Sequence, residues 1–184
     1  MALPVLYISF FLLVWMIPLQ ASAKSETQGL LGQNLSGVRQ IVSRVHQKTG
    51  KNYSVPQDIR YQQTPFKNEC KSYGSLMQFK NSSVTVELNG SHVPGAVDGV
   101  AQAYFYFTPP VSSDQAFKMV ADFFPFLQSK RLLKKSVIGA NEGNECTPSE
   151  GGIRYQDGHY QLELFYGAAD PSKHLIDEAW VELL

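Results

Sequence analysis

The stretch GVAQAYFYFTPPVSSDQAFKMVADFFP, residues 99–125, determines which fold the chain can adopt. In residues 100–107, aromatic and small apolar side chains fall on both alternating faces, and Gln102 is the only polar residue. A strand with this pattern is covered on both sides and belongs near the middle of a sheet. Pro109 and Pro110 are expected to end the strand, because proline has no N–H to donate to a neighbouring strand.

A helix is predicted immediately after the two prolines. Ser112 and Gln115 match the capping box, in which each side chain bonds the backbone N–H of the other residue at a helix start. Apolar residues then recur at helical spacing until Pro125 ends the run, namely Ala116, Phe117, Val120, Phe123 and Phe124. The rest of the chain is expected to pack around this strand and helix.

A hairpin is predicted in residues 76–88. If Asn81-Ser82 forms a two-residue turn, Phe79 lies opposite Val84 and the apolar pairs share one side. Asparagine tolerates the positive φ that such a turn requires.

A second hairpin is predicted in residues 152–167, with Asp157-Gly158 as a type I′ turn. This register places Tyr155 opposite Tyr160, and the bulky apolar residues again share one face. The tail after residue 171 is ambiguous, because its apolar residues repeat at helical spacing while it also contains good strand formers. We predict a helix there and keep a strand as the alternative.

An N-terminal helix is predicted at residues 34–50, and a strand at residues 135–140 after a short helical extension. The predicted fold class is therefore α+β: an antiparallel sheet of about five to six strands, with two to three helices packed mainly on one face. No linker composition or internal repeat marks a boundary, so residues 33–184 are expected to form a single domain.

The chain begins with a segment that resembles a targeting signal. Residues 2–19 are apolar except for Ser9, and small residues at 21–23 suit a signal peptidase. We predict that residues 1–23 are a cleaved secretory signal and that residues 24–32 are a flexible lead-in. The alternative is an uncleaved membrane anchor, since the apolar run is near the minimum length for a span. The expected location is extracellular, or periplasmic in a bacterial source.

Secretion changes what the cysteines and asparagines imply. Cys70 and Cys146 are the two cysteines, and an oxidising compartment favours a disulfide between them. In a eukaryotic host, four Asn-x-Ser triplets predict glycosylation, and they begin at Asn34, Asn52, Asn81 and Asn89.

No motif for a cofactor, a metal or a catalytic nucleophile is present, so none is predicted. The formal net charge is zero at pH 7. Basic residues prevail in residues 24–90 and acidic ones in residues 91–184, which argues against general affinity for nucleic acid. A spatially assembled site containing histidine remains an alternative, which would make the protein a small extracellular hydrolase.

Two groups of residues are candidate ligand sites. Lys130, Arg131, Lys134 and Lys135 form a cationic patch if they lie on one helix, and such a patch suits an anionic polysaccharide or lipid. If the segment is a strand, these charges divide between its two faces. Tyr104, Tyr106, Tyr155 and Tyr160 lie on predicted strands, and gathered on one sheet face they could line a cavity for a small apolar ligand.

The expected function is that of a secreted, non-enzymatic binding protein that uses one of these two sites. The sequence does not identify its partner; an anionic polysaccharide and another secreted protein are the candidates, and no stable membrane insertion is expected after signal cleavage. A structural or inhibitory protein acting through a surface patch is the further alternative. Fold class alone does not choose among these functions.

Overall fold

The computed structural model describes residues 29–56, 60–65, 71–90, 99–139, 151–167 and 173–184, with the backbone alone at 60–65, 71–76 and 129–132. The helices in these ranges are α1 (Leu35–Thr49), α2 (Ser113–Ala121) and a 3₁₀ helix (Pro125–Leu132). The strands are β1 (Arg60–Pro65), β2 (Lys71–Lys80), β3 (Val84–Gly90), β4 (Val100–Val111), β5 (Lys134–Ile138), β6 (Gly152–Gln156), β7 (Tyr160–Tyr166) and β8 (Ile176–Leu183).

All of these strands belong to one antiparallel sheet in the order β1-β2-β3-β4-β8-β7-β6-β5. The predicted α+β class and the single antiparallel sheet are confirmed. The sheet has eight strands among the described residues, which is more than the five to six predicted. The predicted signal (residues 1–23), most of the lead-in, and both cysteines lie outside the described ranges.

Both helices begin where the sequence predicts, and α1 also ends there, whereas α2 ends at Ala121, before the predicted stop at Pro125. The Gln115 N–H donates to Ser112 Oγ over 3.4 Å and the Ser112 N–H donates to Gln115 Oε1 over 3.2 Å, so the capping box is present. The Gly37 N–H donates to Asn34 Oδ1 over 3.0 Å at the start of α1. Gly50 ends α1 with a φ of 69°, a conformation that glycine adopts at little cost.

The hydrophobic core lies between the helices and one face of the sheet. Phe123, which follows α2, is 5.4 Å from Phe79 and 5.8 Å from Phe105 between ring centroids. The buried residues of both helices and of strands β2, β3, β4, β6, β7 and β8 form one continuous cluster. The core therefore covers one face of the sheet, which we call the helix-facing side. The other face is called the opposite side.

The central position predicted for residues 100–107 is confirmed, but two details were wrong. β4 lies between β3 and β8, and Phe105 is fully buried. Tyr104 and Tyr106 are half-buried on the opposite side, so the helices cover only one face of the strand. The strand also continues past Pro109 to Val111, because its register with β8 shifts between Tyr106 and Val111 and the prolines need not donate there.

The predicted C-terminal helix was wrong, and the alternative strand is present. Residues Ile176–Leu183 form β8, which pairs with β4 on one side and with β7 on the other. Ile176, Ala179 and Val181 are buried in the core, whereas Trp180 between them points to the opposite side. The segment is a strand because it pairs with a neighbouring strand along each edge, and this pairing stabilises it more than the helical spacing of its apolar residues favours a helix.

Both predicted hairpins are present, but each register is shifted. Phe79 lies opposite Val86 rather than Val84, and Tyr155 lies opposite Leu162 rather than Tyr160. The shift is even, so the predicted apolar faces are preserved.

The cause of the shift is the position of the turn, which is centred one residue further along the chain in both hairpins, at residues 82–83 and 158–159. The Asn81 N–H donates to the Val84 carbonyl oxygen, and the Asp157 N–H donates to the Tyr160 carbonyl oxygen. Each first residue also accepts two backbone bonds on its side-chain Oδ1, from residues 83 and 84 in one hairpin and 159 and 160 in the other. An Asn or Asp side chain thus supplies the acceptor for two backbone N–H groups of each turn.

The two halves of the sheet repeat one arrangement. The same sequence separation relates Asn81 to Asp157, Glu87 to Glu163 and Tyr104 to Trp180. Glu87 lies opposite Tyr104 in one half and Glu163 lies opposite Trp180 in the other. Tyr104 and Trp180 lie opposite each other, so a local two-fold axis passes through this pair. Cys70 and Cys146 have the same separation in the sequence.

The repeated turn leads to a stability prediction. Asp157→Ala is expected to lower the free energy of unfolding by about 1 kcal/mol, because two backbone N–H groups lose their acceptor. In unglycosylated protein, Asn81→Ala is expected to lower the free energy of unfolding by a similar amount. Ser82→Ala, at an exposed turn position, is the control with an expected change within about 0.5 kcal/mol. Urea denaturation measures all three, and an unchanged Asp157→Ala protein would contradict the role of the side chain.

Candidate functional site

The structure separates the four tyrosines that were predicted to share a face. Tyr155 packs against Phe117 on the helix-facing side, with 4.9 Å between ring centroids. Tyr160 stacks on Phe126 at 4.2 Å. Tyr104 and Tyr106 lie on the opposite side of the sheet, because they alternate with the buried Phe105. The structure therefore does not assemble the predicted four-tyrosine cavity.

The basic quartet is also divided. Lys130 and Arg131 lie in the 3₁₀ helix, whereas Lys134 and Lys135 begin β5 and are exposed. Successive residues of a strand point to opposite faces, and Lys135 Nζ lies 5.9 Å from the centre of the Tyr155 ring on the helix-facing side. The four residues thus do not share one helical face, which is the outcome expected for the strand alternative.

The four glycosylation sites differ in accessibility. Asn34 and Asn52 are exposed, and Asn34 Oδ1 caps α1. Asn81 is half-buried and its Oδ1 holds the hairpin turn. Asn89 is half-buried within β3. On geometry alone, Asn34 and Asn52 present the more accessible side chains.

The described histidines lie in separate elements. His46 Nδ1 is 3.0 Å from the Lys51 carbonyl oxygen at the end of α1. His159 is exposed in a hairpin turn, and His174 stacks on Tyr166 before β8. His92 lies outside the described ranges, as does the predicted Cys70–Cys146 bridge.

A different group of residues meets on the sheet side opposite the helices, which we call the aromatic-acidic face. Its aromatic centre contains Tyr104, Tyr106, Phe165 and Trp180, and its carboxylates are Glu87, Glu163, Glu178 and Glu182. Trp180 is 5.9 Å from Tyr104 and 6.4 Å from Phe165 between ring centroids. These residues come together because alternate positions of four adjacent strands point to the same side.

Three rows of side chains cross the aromatic-acidic face. The middle row runs Glu87, Tyr104, Trp180 and Glu163. One flanking row runs Tyr106, Glu178 and Phe165, and the other runs Gln102, Glu182 and Gln161. Carboxylates therefore surround the aromatic centre on several sides.

Glu178 is the most perturbed carboxyl group of this face. It lies opposite Tyr106 on one neighbouring strand and Phe165 on the other. Burial raises the pKa of Glu178 to about 7, and the negative charges of Asp177 and Glu87 add to the effect. The charged form of Glu178 is thus destabilised by its surroundings.

The pKa values of the titratable groups around Glu178 are raised as well. Burial raises the pKa of Tyr104 to about 12, and the charges of Glu182 and Glu178 contribute. Burial also raises the pKa of Tyr106, of Glu87 and of Glu182. Low hydration and excess negative charge therefore extend over the part of the aromatic-acidic face that β3, β4 and β8 contribute.

Most hydrogen-bond donors to these carboxylates are neutral. Gln78 Nε2 donates to Glu87 over 3.1 Å, and Gln102 Nε2 donates to Glu182 over 3.1 Å. The Trp180 indole N–H is buried near Glu182, whose pKa it lowers, but it forms no hydrogen bond of standard geometry.

Glu163 differs from the other carboxylates because Arg154 neutralises it. Arg154 Nε lies 2.6 Å from Glu163 Oε1, and Gln161 Nε2 donates to the same oxygen over 3.1 Å. Glu163 is the buried charged residue of the described core, at 5% exposure. The arginine therefore compensates one carboxylate and leaves a negative surplus on the aromatic-acidic face.

Sequence reasoning placed Tyr104 and Tyr106 on this strand but missed the carboxylates and Trp180. In the segment EAWVE, Glu178, Trp180 and Glu182 alternate, so a strand assignment would have placed all three on one side. The tail was predicted to be a helix, and in a helix these three residues do not share one face.

Searches among models of protein families, curated proteins and solved structures found no match for the chain. Within the described residues, none of the helices has both the length and the apolarity needed to cross a bilayer. In the same ranges, no group of three or more His, Cys, Asp or Glu side chains is arranged to hold a metal ion.

Proposed function

We propose that the protein is a secreted, non-enzymatic binding protein whose aromatic-acidic face binds a lysine- or arginine-rich segment of another extracellular protein. The observation that carries this proposal is the environment of Glu178, which is half-buried between two aromatic residues. This environment raises the pKa of its carboxyl group to about 7. A cationic group placed beside it would stabilise the charged form.

The aromatic centre favours the same chemistry. The faces of Trp and Tyr rings attract cations, and tryptophan does so most strongly. Trp180 lies between Glu178 and Glu182 along β8, so a bound guanidinium would meet a ring face and a carboxylate together. Anionic ligands would be repelled by the carboxylates.

The spread of the charges favours a peptide segment over a single small amine. The aromatic-acidic face extends across β3, β4, β8 and β7, and adjacent strands lie about 4.8 Å apart. Glu87 and Glu163 are therefore separated by roughly 14 Å at the backbone. About four residues of an extended chain would span this distance.

Trp180 supplies a direct measurement of binding. Trp15 precedes residue 24, so Trp180 is the one tryptophan of residues 24–184. An octapeptide of alternating arginine and glycine is expected to change Trp180 fluorescence saturably at low salt. The affinity should fall as salt rises, because screening weakens exposed ionic contacts.

Two variants that each replace a carboxyl group with its amide test the location. Glu178→Gln is expected to weaken binding by about tenfold, in keeping with the loss of one charge-assisted contact. Asp114→Asn removes a charge from α2 on the helix-facing side, and its affinity should stay within about twofold. Equal losses in both variants, or equal binding of a glutamine-glycine peptide, would refute the proposal.

A further inference from the structure

One cross-strand pair differs between the two repeated halves of the sheet. The sequence separation that relates Glu87 to Glu163 also relates Gln78 to Arg154. Gln78 lies opposite Glu87 on the neighbouring strand, just as Arg154 lies opposite Glu163. The equivalent positions therefore hold a carboxylate in both halves, but the residue facing it is a cation only in the second half.

The second half shows how a carboxylate of the aromatic-acidic face is neutralised. Arg154 Nε lies 2.6 Å from Glu163 Oε1. On its other side, Glu163 lies opposite Trp180. An arginine, a carboxylate and an aromatic residue thus follow one another across three adjacent strands.

The first half has the same carboxylate and aromatic positions without the arginine. Gln78 Nε2 donates to Glu87 Oε1 over 3.1 Å, and Tyr104 lies opposite Glu87. A second carboxylate is close by, because Glu178 lies opposite Tyr106 and the charge of Glu87 contributes to the raised pKa of Glu178. Among the described residues, neither carboxylate forms an ion pair, and the Glu178 carboxylate accepts no hydrogen bond.

A nearby lysine of the protein does not neutralise these carboxylates. Lys80 follows Gln78 by two residues on β2, so it points to the same side of the sheet, but it lies opposite Thr85. Lys80 is exposed and forms no ion pair with any residue that the structure describes. The positive charge that the second half contains is therefore missing from the first.

We propose that Glu87, Glu178, Tyr104 and Tyr106 form a subsite for one arginine side chain of the bound segment, and that this subsite selects arginine over lysine. The inference rests on the proposed function, which leaves the choice between the two residues open. The bound arginine would supply to the first half the charge that Arg154 supplies to the second.

The chemistry of the two cations explains the selection. A guanidinium is planar, so it can pair with a carboxylate in bidentate geometry while it lies against an aromatic ring. It is also weakly hydrated, which reduces the cost of entering a half-buried site. An ammonium group is a strongly hydrated point charge and does not have the planar donor fork.

Two octapeptides of equal charge, one alternating arginine with glycine and the other lysine with glycine, test the selectivity. Trp180 fluorescence at low salt measures both affinities for residues 24–184. The arginine peptide is expected to bind about tenfold more tightly. Equal affinities would refute the arginine subsite and leave the proposed function intact, whereas the absence of binding by either peptide would refute both.

Two substitutions of glutamine by arginine test the location. Gln78→Arg gives the first half the arginine that the second half has, so the new side chain is expected to pair with Glu87 and to weaken binding of the arginine peptide by about tenfold. Gln47→Arg adds the same charge at an exposed position of α1, on the helix-facing side, and the affinity should stay within about twofold. Equal losses in the two variants would show an effect of net charge alone and would refute the subsite.

Discussion

Replacing Phe105 with alanine is expected to lower the free energy of unfolding by about 3–5 kcal/mol. Phe105 is fully buried in β4, and its ring contacts Phe123 and Phe124 at centroid distances of 5.8 and 6.1 Å. The substitution removes the transfer free energy of the ring and leaves a cavity that the strands on both sides of β4 cannot close. Urea denaturation of residues 24–184 measures the loss.

Val137→Ala is the control for this prediction. Val137 is 76% exposed on β5, so its truncation should cost no more than about 0.5 kcal/mol. If Phe105→Ala does not fold, Phe105→Leu provides a smaller perturbation with an expected cost of about 1–2 kcal/mol. A Phe105→Leu protein as stable as the parent would show that β4 does not hold the centre of the core.

Glu178→Gln is expected to make the folded protein more stable at pH 8 than the parent, by on the order of 2 kcal/mol. The pKa of Glu178 is about 7 in the folded state, against an ordinary value of 4.5. The folded state thus holds this proton more tightly than the unfolded chain. Its contribution to stability is complete below about pH 4.5 and is lost as the pH rises through about 7.

Urea denaturation at pH 4.5 and at pH 8 tests this sign. The parent and Glu178→Gln should have nearly the same stability at the lower pH, where Glu178 is protonated in the folded state and half protonated in the unfolded chain, and should differ at the higher pH. Asp114→Asn is the control, since this exposed residue lies on α2, away from the aromatic-acidic face. A parent that loses no stability relative to Glu178→Gln between these pH values would contradict the raised pKa.

The parts of the fold that local chemistry determines were predictable. Ser112 and Gln115 specify a helix start through two hydrogen bonds between near neighbours, and both bonds are present. The run around Phe105 specifies a central strand through its composition, and β4 is central. Both signals lie within a few residues, so no tertiary information is needed to detect them.

The hairpin registers show where local patterns are insufficient. Asn81 and Asp157 each have a side chain that accepts two backbone hydrogen bonds, which stabilises a turn centred one residue further along the chain than the predicted one. Apolar alternation cannot distinguish the two registers, because an even shift keeps every side chain on its face. Only the hydrogen bonds of the turn decide between them.

The aromatic-acidic face was not predictable while the tail was assigned as a helix. Trp180 and Glu178 lie beside Tyr104 and Tyr106 only because β8 occupies the position next to β4. The pairing joins strands that are far apart in the sequence, and no local pattern specifies such a pairing.

The repeat is also concealed in the sequence. Equivalent core positions of the two halves are both buried but hold different residue types. Phe79 corresponds to Tyr155, and Val86 corresponds to Leu162. Identical residues at equivalent positions, such as Glu87 and Glu163, are too sparse to reveal a period. The register of the strands makes the relation evident because it compares positions in space.

The placement of β8 has a consequence for synthesis on the ribosome. β4 is translated long before β8, yet its hydrogen-bonding edge on that side is completed only by β8. While the nascent chain lacks residues 176–183, the β1–β4 and β5–β7 segments each end in an unpaired strand of high β propensity. Such edges bind other extended chains, so the interval before β8 emerges is when this protein most needs protection by a chaperone.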